Sequence, residues 1–194
     1  MSEITTIGLD LAKTVFQVHG VGADGTVVVR RQLRRGQVLG FFQSIGPCLV
    51  GIEACASAHH WARELMAIGH EVRLMPPAYV KAYVKRGKTD AADAEAIAEA
   101  VTRPTMRFVP VKSPEQQSVM VLHRTRSILI RQRIQISNAI RSHMAEFGMA
   151  AAVGRQGLHS LIEVVLDPAD ERVPVEAPGC LAMLAGQLPP GNAQ

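Results

Sequence analysis

Four carboxylates stand out by position. Asp10 lies inside the apolar stretch IGLDLAKT, and Glu53 ends the apolar run LVGIEA. Asp90 and Asp93 are three apart at the head of an alanine-rich stretch, DAADAEAIAEA. Residues three apart on a helix share a face. Asp10 is the hardest of the four to dismiss, because an unpaired charge in an apolar strand is costly. If the first and fourth strands are neighbours, Asp10 and Glu53 emerge side by side. A helix over 90–102 then needs only to pack across them. Carboxylates at that density repel one another unless cations lie between them. Mg²⁺ prefers oxygen ligands and uses a few carboxylates while keeping several waters. Two such ions about 3.5–4 Å apart can activate a nucleophile and stabilise a leaving oxygen in phosphodiester chemistry. Local explanations stay open beside this one. Asp90 also suits a helix N-cap with Asp93 three positions on, Glu53 could begin a loop, and Glu95 and Glu99 suit a solvated face.

Cations gather next to these acids. Lys81, Lys85, Arg86 and Lys88 immediately precede the Asp90–Asp93 pair, and Arg30, Arg31, Arg34 and Arg35 cluster further upstream. A metal site flanked by cations is what a phosphodiester backbone requires. The net charge of +4 conceals a split: residues 1–149 hold 19 Lys and Arg against 12 Asp and Glu, while residues 150–194 hold two against five. The basic portion points towards nucleic acid. His59, His60 and Trp61 open a helix, where a structural role is the commoner one, and no H-x-x-x-H spacing suggests zinc. Cys48, Cys55 and Cys180 form no C-x-x-C pair, which argues against a disulfide framework and favours small core residues in a reducing compartment. No apolar run nears the roughly 18 residues of a membrane span, and the N-terminus lacks a signal-peptide layout. A cytoplasmic globular protein is expected.

The elements that must position the acids can be read from periodicity. Three strands are predicted at Thr6–Leu11, Val15–Gly20 and Thr26–Leu33, the last entered through the turn GADG. A short helix follows at GQVLGFFQSIG, then a buried strand at PCLVGIEA. A helix begins after Ser57 and stops at Gly69. Further along come the strand HEVRLMPP, a turn or short helix over Ala78–Val84, the helix over 90–102, and another strand at MRFVPV. This order predicts a mixed sheet with helices on its faces. From Ser113 to Phe147 no Gly interrupts, and no Pro after Pro114. Val119, Leu122, Leu129, Ile136, Ile140, Met144 and Phe147 make one apolar stripe. Ser113, Pro114 and Gln116 form a helix start. Arg124 with Arg131, and Arg126 with Arg133, form two basic rows off the stripe. Such a helix is about 50 Å long and needs a partner to pack on, either another subunit or a second helix. Residues 150–194 read as an acidic Gly/Pro-rich tail or linker containing one short helix, GLHSLIEVVL.

The segments IGLDLAKTVFQVHG and GIEACASAHHWARELMAIGHEVRLMPPAYVKAYVKRGKTDAADAEAIAEA, with the following long helix, resemble the N-terminal half of DEDD transposases of the insertion-sequence one-ten family. The resemblance covers about residues 4–150. It implies a RuvC-like, ribonuclease-H-like domain over 1–112 and a long helical, coiled-coil-like segment over 113–149 for oligomerisation and RNA contact. It also implies Asp10, Glu53, Asp90 and Asp93 as catalytic Mg²⁺ ligands, with Mn²⁺ as an alternative. Lys81, Lys85, Arg86, Lys88, Arg124, Arg126, Arg131 and Arg133 are the expected nucleic-acid contacts. The implied partners are DNA, a structured bridge RNA that guides the enzyme, and further copies of the chain through 114–147. The family pairs its metal site with a serine nucleophile in a C-terminal domain that has no counterpart here, so strand exchange by this chain alone is not expected. Two other readings remain: a non-catalytic nucleic-acid-binding or dimerisation module, and an actin-like ATPase fold, since GLDLAKT also resembles a phosphate loop of that superfamily.

Overall fold

The computed structural model describes residues 3–83 and 90–188, with Asp90 described by its backbone alone. The chain divides into two compact units, Met1–Gln117 and Ser118–Gln194.

The first unit is built on five strands: β1 (Thr6–Leu11), β2 (Val15–Val21), β3 (Val27–Arg34), β4 (Leu49–Glu53) and β5 (Glu71–Met75). Their order in the sheet is β3-β2-β1-β4-β5. The first three form an antiparallel meander, and β4 and β5 continue it parallel to β1. The β2–β3 turn is set by Asp24, whose carboxylate accepts from the Thr26 backbone N–H at 3.0 Å and hydroxyl at 2.7 Å, and by Gly25 at φ 78°. This is the mixed sheet flanked by helices that the element order predicts, and it fits the ribonuclease-H-like domain that the family resemblance implies.

One face of the sheet is covered by α1 (Val38–Gln43) and α2 (Ala58–Ala67). Val38, Phe42, Ala58, Trp61, Ala62 and Leu65 pack there on Ile7, Leu9, Phe16, Val18, Leu33, Val50, Ile52 and Leu74. His70 ties this layer together. Its Nδ1 accepts the Cys48 backbone N–H at 3.2 Å, which leaves Nε2–H to donate to the Phe42 carbonyl at 3.0 Å. Trp61 stacks edge-on against Phe16 with ring centroids 5.0 Å apart, so the His59-His60-Trp61 trio is structural on this side. Cys48 is buried as expected, but Cys55 and Cys180 are exposed.

The opposite face is covered by α4 (Asp90–Ala100), reached through the short helix α3 (Pro77–Val80). Met75, Val80, Ala96, Ile97, Ala100 and Val101 form the core on this side. The alanine-rich sequence of α4 has a geometric cause. A Cβ placed on Gly8 of β1 would lie 2.0 Å from the Ala94 carbonyl oxygen and 2.5 Å from the Ala98 nitrogen. A Cβ on Gly51 of β4 would lie 2.8 Å from Val101 Cβ. Helix backbone thus rests directly on strand backbone, which only glycine on the strand permits.

The strand expected at MRFVPV is reduced to a single bridge, Val109 to Leu74. Pro110 has no N–H and cannot extend a ladder there. The segment instead leads to a clamp on α2. The Lys112 backbone N–H donates to His59 Nδ1 at 3.1 Å, and the Arg63 guanidinium donates to the Lys112 carbonyl at 2.6 Å. The next residues begin α5 (Pro114–Glu146) with the expected reciprocal cap. The Gln116 N–H donates to Ser113 Oγ at 3.2 Å, and the Ser113 N–H to Gln116 Oε1 at 3.0 Å.

The second unit contains most of α5 with α6 (Arg155–Leu166) and α7 (Pro178–Gly186). Its core is Ile140, Met144, Met149, Leu161, Val165, Val173 and Leu181. Arg141 fastens the chain after α5 by donating to the carbonyls of Ala151, Ala152 and Gly154. Sequence pattern alone predicts only α6 in this stretch. Among the described residues no helix is long and apolar enough to cross a membrane.

Gly8→Ala should lower the unfolding free energy by about 1–3 kcal/mol or more through overpacking. Gly40→Ala, inside α1 with nothing within 4 Å of its added Cβ, should raise it by roughly 0.5–1 kcal/mol. Urea denaturation of both variants measures the two signs.

Candidate functional site

The sheet register brings the first two acids together. Leu9 pairs with Ile52 across the parallel β1–β4 ladder, so the next residues, Asp10 and Glu53, stand at adjacent strand ends. Neighbouring strands lie about 4.8 Å apart. The pleat decides which way they point. Gly8 and Gly51 face α4, and residues two further along a strand share that face. Asp10 and Glu53 are therefore both on the α4 side. The C-terminal edge of parallel strands is where α/β sheets usually bind ligands.

The helix orientation supplies the third. Ala94 and Ala98 lie over Gly8 of β1 and Val101 lies over Gly51 of β4, so α4 crosses the strands and its first turn continues over β2 and β3, where Ala91 and Ala92 lie beside Gln17 and Gln32. Asp93, in that turn, is close enough to Glu53 to act on its charge. The Glu53 carboxyl is pushed above its ordinary value, first by burial and then by the Asp93 carboxylate. All three acids are half-buried. Among the described residues, no three carboxylate, imidazole or thiol groups stand close enough to cage a metal ion. The Asp90 side chain lies outside the described residues.

The flanking cations are distributed unevenly. Lys81 is exposed in the turn following α3, and Lys85, Arg86 and Lys88 lie outside the described residues. Arg124, Arg126, Arg131 and Arg133 are exposed on α5, with Arg131 Nε donating to the Ser127 carbonyl at 3.3 Å. Of the upstream arginines, Arg30 shares the acid face and pairs with Glu95 at 3.6 Å. Arg35 lies over the Trp61 ring at 5.2 Å on the other face. Two polar residues on the acid face carry no obvious sequence signal, Gln17 and Gln32. They come to notice only through register, because Asp10 pairs with Gln17 and Gln17 with Gln32.

Comparison with known proteins identifies the family. A family model described as a transposase, of the DEDD type of insertion sequence IS110, matches residues 7–149. A "probable family 20 transposase" of Pseudomonas aeruginosa is 55% identical over 176 residues, covering 90% of this chain and 52% of that protein. The transposase of insertion sequence element IS1328 from Yersinia enterocolitica is 39% identical over 154 residues, covering 79% of this chain and 46% of that protein. The transposase of element IS1111A from Coxiella burnetii is 39% identical over 166 residues, covering 86% and 46%. The chain spans about half the length of the curated relatives it matches.

A raised carboxyl value means that the folded chain holds the Glu53 proton more tightly than the unfolded chain does. The stability from this group is present below the ordinary carboxylate value and lost as pH rises through the folded value. Asp93→Asn should lower the Glu53 value without returning it to normal, because burial remains. Carbon-13 NMR titration of the Glu53 carboxyl would show this, and an unchanged curve would put the two groups out of electrostatic reach.

Proposed function

The chain belongs to the DEDD transposase family of the IS110 type, and we propose that it provides the metal-dependent nucleic-acid centre of a cytoplasmic DNA transposase. In this reading Asp10, Glu53, Asp90 and Asp93 hold Mg²⁺, with Mn²⁺ as a substitute. The observation that carries it is the sheet register that sets Asp10 and Glu53 at adjacent strand ends on the face covered by α4, where burial and then the Asp93 carboxylate push the Glu53 carboxyl up. Like charges collected from a strand end and a helix start destabilise each other unless a cation is shared. The donor set is all carboxylate oxygen, which suits a hard divalent ion rather than zinc. When bound, such ions supply positive charge that polarises a phosphodiester and activates an oxygen nucleophile.

The chain's own residues then have separable tasks. Asp10 and Glu53 fix two carboxylates on the rigid sheet, while Asp90 and Asp93 bring theirs on α4, whose seat on Gly8 sets their depth. Lys81, Lys85, Arg86 and Lys88 hold backbone phosphates entering from the α3–α4 side. Arg124, Arg126, Arg131 and Arg133 form a separate basic surface on α5, for which a structured bridge RNA is the proposed partner. The strand-exchange activity of the longer relatives is proposed to need their additional serine-bearing region as well. An actin-like ATPase reading has no support in the family match.

The long helix favours a second contact. Ile140 and Met144 of its apolar stripe are buried in the second unit's core, but Val119, Leu122 and Leu129 on the same stripe are 51%, 69% and 58% exposed. A stripe half used within the chain suits pairing with the same stripe of another copy.

Two outcomes are expected. Asp10→Asn and Asp93→Asn should each abolish most of the Mn²⁺ or Mg²⁺ uptake seen by calorimetry while the folded far-ultraviolet spectrum is kept. Metal binding equal to wild type in both variants would remove the tetrad. Separately, Leu122→Asp with Leu129→Asp should shift the sedimentation coefficient to that of a monomer, and an unaltered coefficient would remove self-association through α5.

A further inference from the structure

The face that carries Asp10 continues across β2 and β3. Asp10 pairs with Gln17, and Gln17 with Gln32, so the three form a row perpendicular to the strands. At about 4.8 Å per strand, Gln17 is about 5 Å and Gln32 about 10 Å from Asp10 along that row. Two residues along on the same face, His19 pairs with Arg30. Gln17, His19, Arg30 and Gln32 line, with Ala91, Ala92 and Glu95 of α4, a cleft of about 340 Å³. That volume suits one small-molecule-sized group.

The chemistry of the lining is specific. Gln17 is half-buried and Gln32 exposed, and neither side-chain amide makes a hydrogen bond among the described residues. Each amide offers two donors and a two-lone-pair acceptor. Arg30 is mostly solvent-exposed and bound to Glu95 at 3.6 Å. An ion pair of that kind contributes little, so the guanidinium can turn to a phosphate at small cost. Neutral amides beside a mobile cation, one strand from an acid centre, match a nucleotide: a base edge for the amides and a phosphate for the arginine.

We propose that this cleft seats one unpaired nucleotide of the DNA strand, next to the phosphate that reacts at the acid centre. Gln17 and Gln32 hydrogen-bond the base edge, and Arg30 contacts the adjoining phosphate. The base is unpaired, because a cleft of about 340 Å³ admits one base and not a base pair. The proposal rests on the reading of Asp10, Glu53, Asp90 and Asp93 as a nucleic-acid centre and adds to it where the flanking base is read.

The test uses the full chain in Mg²⁺ with fluorescently labelled single-stranded oligonucleotides of dT, dA, dC and mixed sequence, measuring anisotropy over a series of salt concentrations. Gln17→Ala with Gln32→Ala should weaken binding about tenfold for the preferred base and flatten the differences between oligonucleotides. The salt dependence should be unchanged, because no charge is removed. Arg30→Gln should instead weaken all sequences alike and reduce the salt slope by about 0.7. Gln17→Glu, equal in shape, replaces the amide donors with acceptors, so it should change which base is preferred without the cavity that alanine leaves. Unchanged affinity and base preference in both glutamine variants would overturn the cleft while the metal centre stands. A wild-type chain that binds none of the oligonucleotides would overturn the nucleic-acid reading itself, and the cleft with it.

Discussion

Backbone-to-backbone contact between α4 and the sheet is the constraint on which the candidate site depends. Gly8 and Gly51 remove the two Cβ atoms that would hold the helix away, and alanines at 94 and 98 keep the helix side equally thin. Without that approach, the first turn of α4 would ride a side chain's depth above the sheet. Asp93 would then lose its electrostatic contact with Glu53. The same contact explains a composition that otherwise looks arbitrary, a helix made mostly of alanine, whose described acids stand off the seat: Asp93 near Glu53 and Glu95 against Arg30. Glu99 illustrates the solvent side, pairing with Arg103 one turn later.

Much of the fold was legible because its signals are local. Thr6–Leu11 is bounded as apolar pattern predicts, and the Ser113-Pro114-Gln116 start of α5 is made by side chains that announce themselves. MRFVPV misleads because its apolar alternation is sound while Pro110 denies it a ladder. For the acids, residue type shows that Asp10 is out of place in a strand, but not what brings the others near it. That depends on two glycines whose role becomes visible only once α4 lies over them. Gln17 and Gln32 were illegible for another reason. A glutamine on a partly exposed strand reads as ordinary solvated surface, and cross-strand register alone sets the two in line with Asp10.

The second unit shows where composition misdirects. Residues 150–194 read as an acidic Gly/Pro-rich tail or linker with one short helix, which is α6, while α7 goes unpredicted. Their helices fold because Leu161, Val165, Val173 and Leu181 find Ile140 and Met144 of α5, a long-range partner that no local window contains. Helix α7 is apolar on every side, so it has no amphipathic period to detect, and Met183 remains exposed on it. Arg141 then closes the turn after α5 through three carbonyls, a job that backbone geometry assigns and sequence does not advertise.

The tie at Lys112 has a consequence for how this region tolerates genetic drift. His59 and Arg63 grip main-chain atoms of that residue, its N–H and its carbonyl. Both atoms are common to nineteen of the twenty amino acids, proline alone lacking the N–H. Substitution at 112 therefore forfeits only the Lys112 Nζ contact with His59 Nε2 at 3.5 Å, whereas substitution at 59 or 63 on α2 removes a main-chain tie made some fifty positions away.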